Sequence, residues 1–422
     1  MLVKTKVKLI AVPLLGFAFP GLTFAQESIF KLYGMLDVGF ANITNSENAS
    51  KGLSPGAPGA TYTGFANGGL TASRWGIVGK EEISGNLAAT FTLESSLFPA
   101  SGDAGATGAK GSDNYSGTVS TGATSLFNRE ATIDLLGGWG NLKIGRDRTI
   151  AYEKAGLFDP TSTGQGLSNF GGIGSFGVYN LSRANNQLKY YSPVFGGVQL
   201  GLAYSTQGVA GNFNAGNTKE FYFGYKNSGW KFFTAFQETT TFKDGTSGNT
   251  SFDACYGGGT STSAMNPGAT ALQVWQFGAE GNVGVIKLNI GFDSRRDLSA
   301  TSSSPNIGAT PSSPVNSVNV FYAGAGYQIE PNQKVTLAVY REQDNRYSGE
   351  NVAIMVTGQY VLQLSKRTSL YGIVSEVNNG SRTYITVTDN ANIFVSSASN
   401  AGSTPKAGDN QLGLMLGIIH QF

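Results

Sequence analysis

Tight and wide connections alternate along this chain from one end to the other, and that alternation restricts the fold more than any single motif does. The tight ones fall at Ser84-Gly85-Asn86, Gly137 to Asn141, Val194 to Gly197, Asn227-Ser228-Gly229, Asn282-Val283-Gly284, Glu330-Pro331-Asn332 and Leu364 to Arg367. The wide ones are rich in Gly, Ser, Thr, Asn and Pro and lie near residues 44–71, 98–125, 149–182, 207–218, 242–269, 296–316, 344–350 and 378–409. Seven short turns and eight long loops join sixteen strands, an even number with both ends of the chain on the short-turn side. Transmembrane barrels show this asymmetry of connections.

The segments between the turns carry a period of two. Phe30, Leu32, Leu36, Val38 and Phe40 share one parity, while Lys31, Tyr33 and Asp37 share the other. Leu87, Ala89, Phe91 and Leu93 alternate with Thr90, Thr92 and Glu94, and Phe221, Phe223 and Tyr225 alternate with Glu220, Tyr222 and Lys226. Such a pattern puts lipid or a neighbouring subunit on one face and water on the other. With 59 glycines, 26 Phe, 18 Tyr and only 13% charged residues, the composition fits short aromatic strands joined by glycine-rich loops. A soluble sandwich also alternates, but its loops need not be so unequal.

Residues 1–25 read as a secretory signal peptide and residues 26–422 as a single barrel domain. Lys4, Lys6 and Lys8 precede an apolar run broken by Pro13 and Pro20, and a cleavage site follows at Thr23-Phe24-Ala25. No later apolar stretch reaches the roughly 20 residues a membrane helix needs. A chain that sits in a membrane without such helices must close into a barrel, so that every backbone group finds a partner. Sixteen antiparallel strands enclose an aqueous channel, whereas about eight fill with side chains.

Removal of the signal leaves 26 Lys and Arg against 27 Asp and Glu, and this balance gives no electrostatic case for nucleic-acid binding. Cys255 is the one cysteine and His420 the one histidine, so neither a disulfide framework nor a metal cluster is implied, and no cofactor is expected. A catalytic barrel would need an activated nucleophile. His420 lies two residues from the end at the parity of Phe422, which suits an interface or assembly role better than general-base work. Gly172, Gly174 and Gly177 form a nominal Gly-x-Gly-x-x-Gly, but no βαβ unit surrounds it.

Several segments, in order and spanning nearly the whole mature chain, resemble the Gram-negative general porins, the trimeric sixteen-stranded porins of the outer membrane. They are Leu32 to Asp37, Ser73-Arg74-Trp75-Gly76, Leu93-Glu94-Ser95, Leu126 to Arg129, Leu142 to Arg146, Leu188 to Pro193 with Phe195-Gly196-Gly197, and Gly417 to Phe422. The resemblance implies an all-β, sixteen-stranded antiparallel transmembrane β-barrel whose third loop folds inward, assembled as a homotrimer among outer-membrane lipid and lipopolysaccharide. It implies passage of ions and small hydrophilic solutes. It also implies that Phe422, which ends the alternating strand Leu412, Leu414, Leu416, Ile418, His420, is the signal read by the outer-membrane assembly machinery.

The family's pore is narrowed by the third loop and faced by basic side chains. Here that loop is residues 149–182, with a short helix expected over Ile150 to Leu157. Its tip reads Asn169-Phe170-Gly171-Gly172 and lacks the acid common in relatives, leaving Glu153 and Asp159 with Lys154 between them. Strand parity places Arg74, Lys80, Arg183, Asn185, Gln187, Lys189 and Tyr191 inside, absent a bulge. For Arg129, parity points outward and the resemblance inward. A rim position for Arg129 and Arg146 stands beside a constriction role. Few loop acids and several lumen cations predict a weakly anion-preferring general diffusion channel. The alternatives are a substrate-selective channel of the same fold and an adhesin working through its long loops.

Overall fold

The computed structural model describes residues 29–46, 61–107, 124–161, 167, 182–206, 211, 213–214, 216–240, 270–297, 316–345, 352–381, 383, 385–387, 405 and 408–422. The signal segment, Asn169, Phe170, the glycine motif at 172–177 and Cys255 lie outside them. Sixteen strands form one closed antiparallel barrel. They are β1 Ile29–Ile43, β2 Arg74–Ser84, β3 Leu87–Phe98, β4 Glu130–Gly137, β5 Gly140–Arg148, β6 Arg183–Tyr191, β7 Val198–Ser205 and β8 Thr218–Lys226. The second half comprises β9 Trp230–Thr240, β10 Thr270–Val283, β11 Ile286–Asp297, β12 Asn316–Glu330, β13 Gln333–Asp344, β14 Val352–Gln363, β15 Thr368–Asn379 and β16 Gln411–Gln421. All seven tight turns fall where the sequence puts them.

Each strand pairs with its neighbours in the chain, and β16 pairs with β1 to close the ring, from Met35 opposite Gln421 to Ile43 opposite Gly413. At the seam the Phe422 backbone N–H donates to the Gly34 carbonyl at 3.0 Å, and the Gly34 N–H donates back to the Phe422 carbonyl at 3.1 Å. Gly34 is required by this contact, because a Cβ there would lie 2.3 Å from the Phe422 ring. Closure leaves no backbone edge to lipid, which is what makes the spanning sheet tolerable.

The alternation sorts the side chains as read. Phe30, Leu32, Phe40, Ile133, Leu188, Leu202, Ile290, Leu337 and Leu416 are exposed on the outer face. Asp37, Glu94, Thr132, Gln187, Lys189, Glu220, Gln276 and Thr336, of inward parity, are buried. The outer exposure is that of a lipid-facing surface, not of an unfinished core.

The wall is uneven. β4 to β8 run 8 or 9 residues each, whereas β10, β11 and β12 run 14, 12 and 15. β2 is also short at its loop end: it pairs with β1 only up to Arg74 opposite Met35, and the segment Tyr62–Asn67 continues the pairing along the upper half of β1. The break between them is held by Asp37. Its carboxylate accepts from the backbone N–H groups of Gly69, Leu70 and Thr71 at 3.1, 2.8 and 2.9 Å and from the Tyr371 hydroxyl at 2.6 Å.

The third loop leaves β5 and turns inward at once. Helix α1, Ile150–Phe158, spans the expected stretch, and the Thr149 hydroxyl caps it by accepting from the Tyr152 N–H at 3.3 Å. Its buried residues supply one of two apolar clusters inside the barrel. Ile150 and Phe158 pack with Ala203, Tyr222, Phe233 and Ala235 of β7 to β9. A second cluster gathers Leu167 of the same loop with Ile43, Tyr340, Met355 and Met415. Burying one such large side chain stabilises the seat by about 1.5–3 kcal/mol.

Candidate pore constriction

Loop 3 is fastened to the inner wall at successive points. The Ala151 N–H donates to Glu220 Oε1 of β8 at 3.0 Å. The Phe158 ring sits 4.2 Å from that of Phe233 in β9, and its carbonyl accepts from Asn289 Nδ2 of β11 at 3.1 Å. Asp159 accepts from the Tyr340 hydroxyl of β13 at 2.7 Å and from the Thr161 hydroxyl. Farther on, the Leu167 carbonyl accepts from the Thr357 hydroxyl of β14 at 3.1 Å, and the Leu167 side chain lies against Gly413 of β16. The described loop residues thus follow the wall from β8 round to β16.

The remaining arc, β2 to β6, carries arginines. Arg74 opens β2, Arg129 precedes β4, Arg148 closes β5 and Arg183 opens β6 opposite Arg148. The four are near enough for their charges to act on one another. Glu94 of β3 is set between two of them. Arg129 Nε donates to its Oε1 at 2.7 Å, Arg74 Nε lies 3.6 Å from its Oε2, and the Tyr33 hydroxyl donates to Oε2 at 3.0 Å. Arg183 Nε donates to the Arg129 carbonyl at 2.9 Å.

Arg129 resolves in favour of the inside because β4 begins only at Glu130. The residue sits in a bend, where strand parity does not apply, and its guanidinium turns in to Glu94. A bulge between Ala184 and Gln187 likewise interrupts the parity of β6. Asn185 is diverted by it: its Oδ1 accepts from an Arg146 guanidinium N–H at 2.7 Å, and Arg146 Nε donates to the Asn128 carbonyl at 2.7 Å. Arg146 is thereby held at the strand ends by groups outside the arginine cluster. Arg183 joins the cluster despite the bulge. Arg148 was missed by alternation, since it shares the parity of outward Ile144; Gly145, at φ +137°, marks the irregularity just before it.

Lys189 points in as read, but it is sealed beneath α1. Its Nζ donates to Asp147 Oδ2 at 2.6 Å and to the Arg148 carbonyl at 2.7 Å, with Glu153 Oε2 at 3.5 Å. Glu153 also accepts from Lys154 Nζ at 2.8 Å and from the Tyr191 hydroxyl at 3.0 Å. Burial opposes the charge on Glu153, but the Lys189 and Lys154 ammonium groups and the Tyr191 hydroxyl outweigh it and hold its carboxyl down at about 2. The Lys154 ammonium lies over the rings of Tyr191 and Tyr222 at 4.4 and 4.5 Å. Both loop acids, Glu153 and Asp159, are therefore engaged in anchoring the loop. Lys80, near the short-turn end of β2, is exposed and paired with Glu82.

A closed sixteen-stranded wall, a loop pinned within it and a cluster of arginines on the free arc together describe a channel with a loop seated in its lumen. Residues 11–382 match the Gram-negative porin family. The chain belongs to that family. Outer membrane porin protein 32 of Delftia acidovorans is 26% identical over 425 residues, covering 99% of this chain and 100% of that one. An outer membrane porin protein of Bordetella pertussis is 33% identical over 205 residues, 47% of this chain and 48% of its own length. Among solved structures, an anion-selective porin from Comamonas acidovorans has a TM-score of 0.66 at 24% identity, covering 94% of this chain and 100% of that one. OmpF of Salmonella typhi has a TM-score of 0.57 at 16% identity, covering 93% and 97%. These two establish a shared fold. The porin is an integral protein of the outer membrane that crosses it with strands and forms a channel.

Proposed function

We propose that this porin is a homotrimeric general diffusion channel for ions and small hydrophilic solutes with a preference for anions, set where loop 3 narrows the lumen opposite Arg74, Arg129, Arg148 and Arg183. The observation that carries this reading is the charge inventory of the narrowing. Of the four guanidinium groups, those of Arg74 and Arg129 pair with Glu94 and that of Arg183 donates to the Arg129 carbonyl, while both acids of the described loop are tied to the wall and Asp147 is tied to Lys189. Rings of charged side chains are how a wide pore favours one ion sign. The structural neighbour from Comamonas acidovorans is named as anion-selective, and an OmpT of Vibrio cholerae with the same fold is described in a trimer form, which supports both parts of the proposal.

Purified protein in planar bilayers should give stepwise, ohmic conductance, with steps grouped in threes as each trimer inserts. A well-folded preparation that never conducts would overturn the channel reading, and isolated single steps at all dilutions would overturn the trimer.

A further inference from the structure

The outer face of the barrel carries a recess of about 370 Å³ between β13 and β16. Two glycines make its floor. Gly358 of β14 stands opposite Leu337 of β13 and Val374 of β15, and Gly372 of β15 stands opposite Tyr360 of β14 and Leu416 of β16. Their missing side chains leave a diagonal gap walled by Leu337, Tyr360, Val374 and Leu416. All four walls are exposed on the face that meets the membrane, so the gap is filled by hydrocarbon and not by water.

The recess is polar at its short-turn end, which is the periplasmic one. The Tyr360 hydroxyl donates to Gln333 Oε1, at the start of β13, at 3.0 Å, which keeps the ring's polar edge toward the turns and its flank along the gap. Beyond it the turn joining β14 to β15 carries Lys366 and Arg367, both exposed, and neither makes an ion pair among the described residues. The Ser365 hydroxyl shapes this turn by accepting from the Arg367 and Thr368 N–H groups at 3.2 and 3.1 Å. The Gln421 N–H ties it to β16 by donating to the Arg367 carbonyl at 2.8 Å. His420, opposite Thr368 and with its Nδ1 2.9 Å from that hydroxyl, adds an exposed imidazole to the same rim. Among the described residues of β13 to β16 the one carboxylate of outward parity is Glu376, near the long-loop end.

An apolar groove that ends at a cationic rim has the polarity of an anionic glycerophospholipid, and the spacing agrees. At about 3.3 Å per residue, Gly372 lies roughly 17 Å along the strand from Arg367, or ~13 Å along the membrane normal for a strand tilted by about 40°. That depth is within the ~15 Å of one hydrocarbon leaflet. A chain lying over Gly372 and Gly358 therefore has its phosphate at the height of Lys366 and Arg367. We propose that this groove binds one anionic phospholipid of the periplasmic leaflet, with an acyl chain over Gly358 and Gly372 and the headgroup on Lys366 and Arg367. The site is on the outer wall and is independent of the ion preference of the lumen.

The test uses the purified porin in detergent, given dioleoyl phosphatidylglycerol or dioleoyl phosphatidylcholine, lipids with the same chains but a net negative and a neutral headgroup. Bound lipid is counted by native mass spectrometry. The wild type should retain the anionic lipid about fivefold better for each cation engaged. Lys366→Gln combined with Arg367→Gln should erase that preference. Gly372→Leu fills the floor and should lower retention of both lipids several-fold; its Cβ meets only the flexible end of Leu416, at 3.3 Å, so the strand need not move. Single-channel conductance equal to wild type verifies that each variant is folded. Equal retention of the two lipids by the wild type, an undiminished preference in the Lys366 and Arg367 variant, or full retention by Gly372→Leu would overturn the inference. So would a wild type that binds no lipid and a Gly372→Leu porin that loses its oligomer, which would assign the groove to a second copy of the chain. Conductance and reversal potential report on the channel reading separately, and none of these outcomes bears on it.

Discussion

Glu153 is the titratable group on which the seat of α1 depends. Its carboxyl is held at about 2, below the ordinary glutamate value of about 4.3. A depressed folded value contributes stability that is fully present above the unfolded value and is lost as pH falls through the folded one. The helix should therefore stay seated from neutral pH down to about 4.3 and loosen progressively as pH approaches 2. Glu153→Gln should loosen it at every pH, forfeiting about 2 kcal/mol of charge-assisted hydrogen bonding to Lys189, Lys154 and Tyr191. Single-channel recordings at neutral pH check this: the variant should show the larger current fluctuations expected of the wild type in acid. A variant as quiet as the wild type would show that apolar packing of Ile150 and Phe158 seats the helix alone. Alternation in the sequence sufficed to turn Lys189 inward. It failed to show that Lys189 is neutralised, because Asp147 and Glu153 lie on other elements and their approach is set by how loop 3 folds. Alternation did not decide Arg129 for a local reason, since it sits in a bend before its strand begins, and a bulge interrupts the count in β6 near Asn185.

At the scale of elements, the proposed narrowing by loop 3 depends on anchors far from where the loop leaves the wall. Asp159 and its partner Tyr340 are 181 residues apart, and both are buried. Asp159→Ala together with Tyr340→Phe should release this end of the loop without disturbing the strand ladders, which contain neither side chain. Liposome swelling should then show entry of larger sugars and a several-fold faster rate for small ones, while thermal unfolding of the barrel stays close to wild type. An unchanged size limit would place the narrowing on another segment. The helix of this loop was legible, since Ile150 to Leu157 contains no proline and its one glycine, Gly156, lies near its end. Its destination was not, because the contacts that hold it join residues with no local pattern in common. Turns were the most legible feature, each fixed by a few residues of special backbone preference.

The molecule as a whole divides its labour between wall and loop. Sixteen strands of period two build a rigid cylinder with an apolar outside, and closure through Phe422 and Gly34 leaves no edge. Count, topology and closure were readable because each rests on repetition, which averages out local irregularity. The unevenness of the wall was less visible, although it decides where loop 3 enters and brings Arg74, Arg129, Arg148 and Arg183 together at the ends of short strands. In the proposed function this cluster, facing an anchored loop, makes the channel prefer anions. Its most direct test is the reversal potential of the wild-type porin in a potassium chloride gradient at low ionic strength, where screening is weakest, alongside Arg74→Gln combined with Arg148→Gln. The wild type should reverse at a potential of the anion-selective sign and the double variant nearer to zero; a cation-selective wild type, or a double variant that reverses where the wild type does, would show that the cluster does not set the ion preference.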